Sequence, residues 1–181
     1  MAREGWKNLG GIDPTARISA DAVIGEDVQI GPGVVIHAPV QIGNRVIIGA
    51  NTVIGDPGFA FDREARPPVR EDFTGTVVIG DDVEIGNCCN IDRGRKVTTI
   101  HWGTKVDSCC HIAHDCSVGP CAILAAGTIL GGHAVVGDSA RIGLNATLRN
   151  RSEVESRAIV GMHTPVLRRV AANTKKTVMG K

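Results

Sequence analysis

An isoleucine recurs every six residues through the first third of the chain. Ile12, Ile18, Ile24, Ile30, Ile36, Ile42, Ile48 and Ile54 hold one phase without exception. A second phase carries Ile79, Ile85 and Ile91. A third runs Ile100, Val106, Ile112, Val118, Leu124, Leu130, Val136, Ile142, Leu148, Val154, Val160 and Val166. Self-similarity at a fixed period is the signature of a repeat architecture. A helix is excluded, because steps of six at 3.6 residues per turn wander around the cylinder and define no face. One long strand tolerates steps of six, but Gly follows the periodic residue again and again, as at Gly25, Gly43, Gly86 and Gly137, and would weaken it. Two residues before the periodic position the side chain is small or β-branched, as at Val28, Thr52, Ala122 and Ala146. The pattern predicts very short strands and tight corners, with that Gly supplying the backbone freedom of each corner. Three sides close a coil of 18 residues. The repeat covers roughly 12–166, between seven and eight coils stacked about 4.8 Å apart.

The frame breaks divide the chain. Residues 1–11 form a lead-in, and 12–166 form the repeat domain. Between Ile54 and Ile79 the phase is lost through GDPGFAFDREARPPVREDFTGT, which predicts a projecting loop over 55–77. A three-residue excursion falls near Val97–Thr99. After Val166 the pattern stops, leaving a basic tail over 167–181 with five cationic residues and no acid. Of 181 residues only 3% are aromatic and none is Tyr, which fits thin layers of small side chains. The net charge of +1 argues against a protein-wide nucleic-acid surface. No run of about 18 apolar residues predicts a transmembrane helix. The opening MAREGWKNLGG has no signal-peptide stretch, so a cytoplasmic protein is expected.

Stacking arithmetic locates a candidate site. Residues 18 apart lie above one another, so His114 sits under Gly132 and His133 over Asp115. Allowing for the excursion, Arg93 lies under His114, and Cys88 and Cys89 lie under Cys109 and Cys110. His114 suits a general base, because imidazole titrates near neutrality. An adjacent carboxylate, Asp115 or Asp107, would hold its tautomer. The backbone N–H of Gly132 would donate to an oxyanion. Cys89, Cys110 and Cys116 fall at small inward positions and read as reduced core filling. The six Cys form no C-x-x-C pair, and His111 and His114 are three apart, whereas the zinc carbonic anhydrases that such six-residue repeats also resemble pair two His five apart, so no metal is expected.

The repeats VIGEDV, QIGPGV and VVIGDDVEIG resemble the hexapeptide-repeat superfamily. That resemblance implies an all-β, left-handed parallel β-helix with one projecting loop, usually a homotrimer. The stretch HIAHDCSVGPCAILAAGTILGGHAVVGD is similar to the catalytic part of the UDP-N-acetylglucosamine O-acyltransferases. ANTVIGDPGFAFD and VVIGDDVEIGNCCNIDRG are more similar to the UDP-3-O-acylglucosamine N-acyltransferases. Both families imply acyl transfer from a thioester to a sugar hydroxyl or amine, with His114 as base. The O-acyl family implies Gly132 as oxyanion donor and His133 on the substrate. The N-acyl family implies Asp107 as the orienting acid. Where the N-acyl family has a second His, this chain has Arg151. The repeat begins by residue 12 and only about 15 residues follow it, so the N-terminal uridine-binding and C-terminal helical domains of these families are not expected.

Small nucleotide-sugar acetyltransferases share this fold, and their size fits the chain. Phe59 and Phe61 are candidates to stack on an acceptor, beside Asp92, Arg93 and His111. Arg168, Arg169, Lys175 and Lys176 are candidates to meet the phosphates of acyl-CoA or an acidic acyl carrier protein. No tightly bound cofactor is expected. A long-chain hydroxyacyl transferase of the lipid A type and a non-catalytic β-helix scaffold are the alternatives.

Overall fold

The computed structural model describes residues 11–37 and 39–178, so the expected lead-in over 1–11 lies, apart from Gly11, outside the described residues. The chain is all-β and winds into a parallel β-helix with three faces of eight strands each. Face one includes Val35–Ile36, Val53–Pro57, Asn90–Arg93, His111–Ile112 and Ile129–Leu130. Face two includes Val40–Ile42, Thr76–Ile79, Val97–Ile100 and Ser117–Val118. Face three includes Ile47–Ile48, Glu84–Ile85, Lys105–Val106 and Ile123–Leu124. Among the described residues no helix is long and apolar enough to cross a membrane.

The hexad maps directly onto the core. Ile36, Ile54, Ile91, Ile112, Leu130, Leu148 and Val166 stack down the inside of face one, each no more than 2% exposed. Fully burying such a side chain is worth about 1.5–3 kcal/mol, so the column is a main source of stability. The small residue two places earlier is also buried. Where that residue is Thr, its hydroxyl is satisfied within the coil stack: Thr52 donates to the carbonyl of Gly86, and Thr104 to that of Gly119, each at 2.8 Å. Burial pushes the Cys116 thiol up to about 12, which removes it as a thiolate nucleophile.

The corners work differently from the sequence expectation. The left-handed backbone falls three residues after the hexad position, at Asp27, Asn51, Asp115, Asn145 and their equivalents, most of which are not Gly. Asn and Asp tolerate that conformation; Arg45 and Arg151 hold it at a cost of about 1–2 kcal/mol. The Gly directly after the hexad residue serves close approach instead. A Cβ on Gly137 would lie 2.5 Å from the backbone N of Ser156 in the next coil.

Three boundaries also move. The bulged face-one strand continues to Pro57 and face two resumes at Thr76, so the projecting loop is 58–75 rather than 55–77. The excursion lies at Gly94–Lys96, because Val97–Thr99 already pair with Thr76–Val78. Beyond Val166 the coil continues. Arg169–Val170 and Lys175–Lys176 pair with Glu153–Val154 and Ile159–Val160 at a spacing of 16, two residues short of the frame. That shortening hides the last two strands from the six-residue rule.

Candidate active site

The corner between faces one and two brings the candidate residues together. His114 and Asp115 follow Ile112 by two and three residues, and Asp115 takes the left-handed position at φ +59°. That turn folds its carboxylate back toward the coil below, where its side chain is only 5% exposed. Its Oδ1 accepts the backbone N–H of Lys96 at 2.7 Å, and its Oδ2 accepts that of Arg95 at 3.3 Å. Oδ2 also lies 3.0 Å from Nδ1 of His114. Burial raises the proton affinity of Asp115, but the hydrogen bonds from His114 and from the two amides outweigh it, so its pKa falls below the usual carboxylate value. An ionised Asp115 accepts from Nδ1–H and leaves Nε2 of His114 as the free lone pair.

The two frame breaks meet around this pair. Gly94 lies so close under Asp115 that a Cβ there would sit 2.2 Å from Cγ of the carboxylate. The excursion therefore supplies the room as well as two N–H donors. The loop returns along it: Gly75 donates to the carbonyl of Gly94 and Thr76 to that of Lys96, each at 2.9 Å. Glu71 and Arg95 form an ion pair. Phe73 is buried with its ring 5.2 Å from that of His114, and a Cβ on Gly58 would lie 3.0 Å from the same side chain. None of Gly58, Phe73, Gly94, Arg95 and Lys96 was found by the six-residue rule, since all lie out of frame; the frame breaks themselves were the available signal.

Stacking brings Gly132 and His133 to the dyad as expected. A Cβ on Gly132 would fall 2.6 Å from Nε2 of His114, so only Gly leaves that nitrogen open. Among the described residues the N–H of Gly132 has no acceptor. His133 meets His114 edge to face at 5.2 Å, with its Nε2 3.9 Å from Asp115. Burial lowers the pKa of His133; the Asp115 carboxylate pulls the other way, and the charge of Arg151 adds to the lowering.

Asp92 and His111 adjoin the dyad on face one. Asp92 is buried, accepts from Asn90 Nδ2 at 2.7 Å, and lies 3.8 Å from Nε2 of His111. Burial raises its pKa. Arg93 is at the same level, but its Nε donates to the carbonyl of Phe73 and so fastens the loop. Phe59 and Phe61 lie on the outgoing limb of the loop, where Phe61–Asp62 pairs with Val69–Arg70; the rings meet edge to face at 4.9 Å against the guanidinium of Arg70, and Phe59 is 79% exposed. The aromatic ring against His114 is Phe73 instead.

Two expected groups lie elsewhere. Within one chain the carboxylate on Nδ1 of His114 is that of Asp115, not of Asp107. It sits at the corner between faces three and one, where its Oδ1 accepts the N–H of Ser108, and it lines a groove of about 380 Å³ with Lys105, Glu84 and Ile123. The corner, not the seven-residue spacing, decides which carboxylate reaches His114. Arg168, Arg169, Lys175 and Lys176 are spread over a corner and faces two and three at the end of the prism, three coils beyond His114. Arg169 is already ion-paired with Glu155.

A family model described as bacterial transferase hexapeptide (six repeats) matches residues 21–56. The UDP-3-O-acylglucosamine N-acyltransferase of Herminiimonas arsenicoxydans is 35% identical over 115 residues, covering 60% of this chain and 33% of that protein. The enzyme of the same name from Janthinobacterium sp. (strain Marseille) is 34% identical over 147 residues, covering 77% of this chain and 42% of that protein. The chain thus spans a third to two fifths of the length of these curated relatives. The solved UDP-N-acetylglucosamine acyltransferase from Campylobacter jejuni matches with a TM-score of 0.71 at 24% identity, over 89% of this chain and 69% of that one. That likeness supports the β-helix. Repeat, fold and relatives agree in their resemblance to the hexapeptide-repeat acyltransferases.

Proposed function

We propose that this chain is an acyltransferase that moves an acyl group from a thioester, acyl-CoA or acyl carrier protein, to an amine or hydroxyl of a nucleotide sugar. The observation that carries this reading is the His114–Asp115 pair with its free Nε2 set under Gly132. The named relatives supply the acceptor class.

The chemistry follows from the atoms. Asp115 holds the Nδ1–H tautomer. Nε2 takes a proton from the acceptor as its nitrogen or oxygen attacks the thioester carbonyl. The Gly132 N–H stabilises the oxyanion that forms. Collapse breaks the C–S bond, and the imidazolium returns its proton to the leaving thiolate. Asn90, Asp92 and His111 offer donors and acceptors to the sugar, with the Phe59–Phe61 pair above it.

A homotrimer completes the assignment. Ile123, Ile129 and Val135 leave large apolar surface on all three faces of one coil, 39–44% exposed, as an interface requires. In such an assembly Asp107 and its groove would approach the His114 corner of a neighbouring subunit. Arg168, Lys175 and Lys176 would meet donor phosphates. The protein would act in the cytoplasm without a tightly bound cofactor.

The test is a thermal-shift panel with CoA, acetyl-CoA, long-chain acyl-CoA, acyl carrier protein and nucleotide sugars, followed by mass spectrometry of the acyl product. CoA species with an amino-sugar nucleotide support acetyl transfer. Acyl carrier protein alone points to the lipid A type. A panel without any shift leaves the scaffold reading. His114→Ala should lower turnover at least about a hundredfold while the protein stays folded; full retention overturns the proposal.

A further inference from the structure

We propose that His114, Asp115 and His133 form a reversible site for a divalent ion of the zinc class, and that its occupation switches the dyad off. The switching clause rests on His114 being the base; the site itself does not.

Ligand atoms from these three side chains lie within 4.8 Å of one another. Nδ1 of His114 is 3.0 Å and Nε2 of His133 is 3.9 Å from the same oxygen, Oδ2 of Asp115. Neighbouring ligands on a tetrahedral zinc with bonds of about 2.0–2.1 Å stand about 3.3 Å apart, between those two values. Small side-chain rotations therefore suffice. Two imidazoles and one carboxylate suit zinc, cobalt or nickel, not magnesium or calcium. The carboxylate is held from behind by the backbone N–H groups of Lys96 and Arg95, the kind of outer support that orients a ligand. Exposure rises across the set, from 5% at Asp115 to 19% at His114 and 37% at His133, so the remaining coordination position opens toward solvent.

The spacing His111–His114, which led to the expectation of no metal, concerns a different pair. The fold joins His114 to a His from the next coil. Metal on Nδ1 displaces the proton shared with Asp115, and the ring goes over to its other neutral tautomer. The ring's one remaining proton then resides on Nε2, where an N–H points at the acceptor in place of a lone pair.

Chelator-treated protein is titrated with Co²⁺ under visible absorption, then with Zn²⁺ in competition by calorimetry, with Mg²⁺ as control. One Co²⁺ per chain with nitrogen and oxygen ligand-field bands, displaced by Zn²⁺ and indifferent to Mg²⁺, is expected. His133→Gln, with unchanged melting temperature before metal is added, should weaken binding at least tenfold. Cys88→Ser with Cys109→Ser should bind as the parent does. Absence of binding below about 1 mM, binding indifferent to His133→Gln, or loss in the Cys variant overturns the site. Zinc bound in the expected pattern with turnover unchanged keeps the site and refutes the base; acyl transfer by a protein that takes up neither Co²⁺ nor Zn²⁺ refutes the site alone.

Discussion

Coils built from residues 118–166 repeat every 18 residues without a break, whereas those between 53 and 117 absorb a loop and a three-residue excursion. His114 stands where these two insertions meet. Both regions share the hexad, the buried column and the left-handed corner. At the equivalent corner two coils on, Arg151 occupies the position of Asp115 and makes the same turn. The regular coils form the core; the interruptions supply inward-facing N–H groups, a cramped Gly and a buried ring, which together fix one carboxylate and one imidazole.

The largest effect is expected from breaking that fixed pair. Asp115→Asn should lower kcat by about 10²–10³-fold, because Nδ1–H loses its anionic acceptor. It also removes a pH-dependent contribution to stability. The folded pKa of Asp115 lies below the unfolded value, so its stabilisation is present above about pH 4 and is lost as pH falls through the folded pKa. The melting-temperature gap between parent and Asp115→Asn should stay constant from pH 7 to 5 and shrink below pH 4. A gap that does not change with pH would place the loss in packing.

A pair of Gly substitutions sharpens the contrast. Gly94→Ala puts a methyl group into the Asp115 carboxylate and should lower kcat about 10–100-fold. Gly137→Ala, in the regular coils, meets the Ser156 backbone instead. It should cost about 1–3 kcal/mol of stability, seen as a lower melting temperature, while kcat per folded molecule is unchanged. Equal effects on kcat would remove the distinction between the two regions.

Much of this was legible because two side chains in every six, the hexad residue and the small one two places before it, must face inward. Ile30 through Val166 marked the buried column, and stacking placed Gly132 and His133 beside His114. Asp115 and Asp107 were not separable by spacing, since the choice depends on which corner of the triangle each occupies. Phe73 and Gly94 were invisible because periodicity says nothing about segments that leave the period. The corner Gly was seen but misread, because close approach and backbone freedom select the same residue. The last coil was missed through a shortening of two residues.

A smaller effect is expected at the loop. Phe73→Ala removes a ring buried against His114, with Arg93 still bonded to the backbone carbonyl. Limited proteolysis within 58–75 should speed up at least about tenfold and kcat should fall several-fold, while the prism melts within a few degrees of the parent. Unaltered proteolysis would show that Arg93 and the Glu71–Arg95 pair suffice to hold the loop.

The smallest effect falls at the far end of the regular coils. Arg169 is 65% exposed, and its guanidinium is shared between Glu155 and Glu153. An exposed pair of this kind contributes about 0–1 kcal/mol. Arg169→Ala should therefore leave the melting temperature within about 2 °C. Because Glu155 already engages the guanidinium, the KM for donor should also stay unchanged, whereas Lys175→Ala with Lys176→Ala should raise it. Binding to phosphates would raise the donor KM of Arg169→Ala and make it salt-dependent, and Glu155 would then be a competitor that the donor displaces.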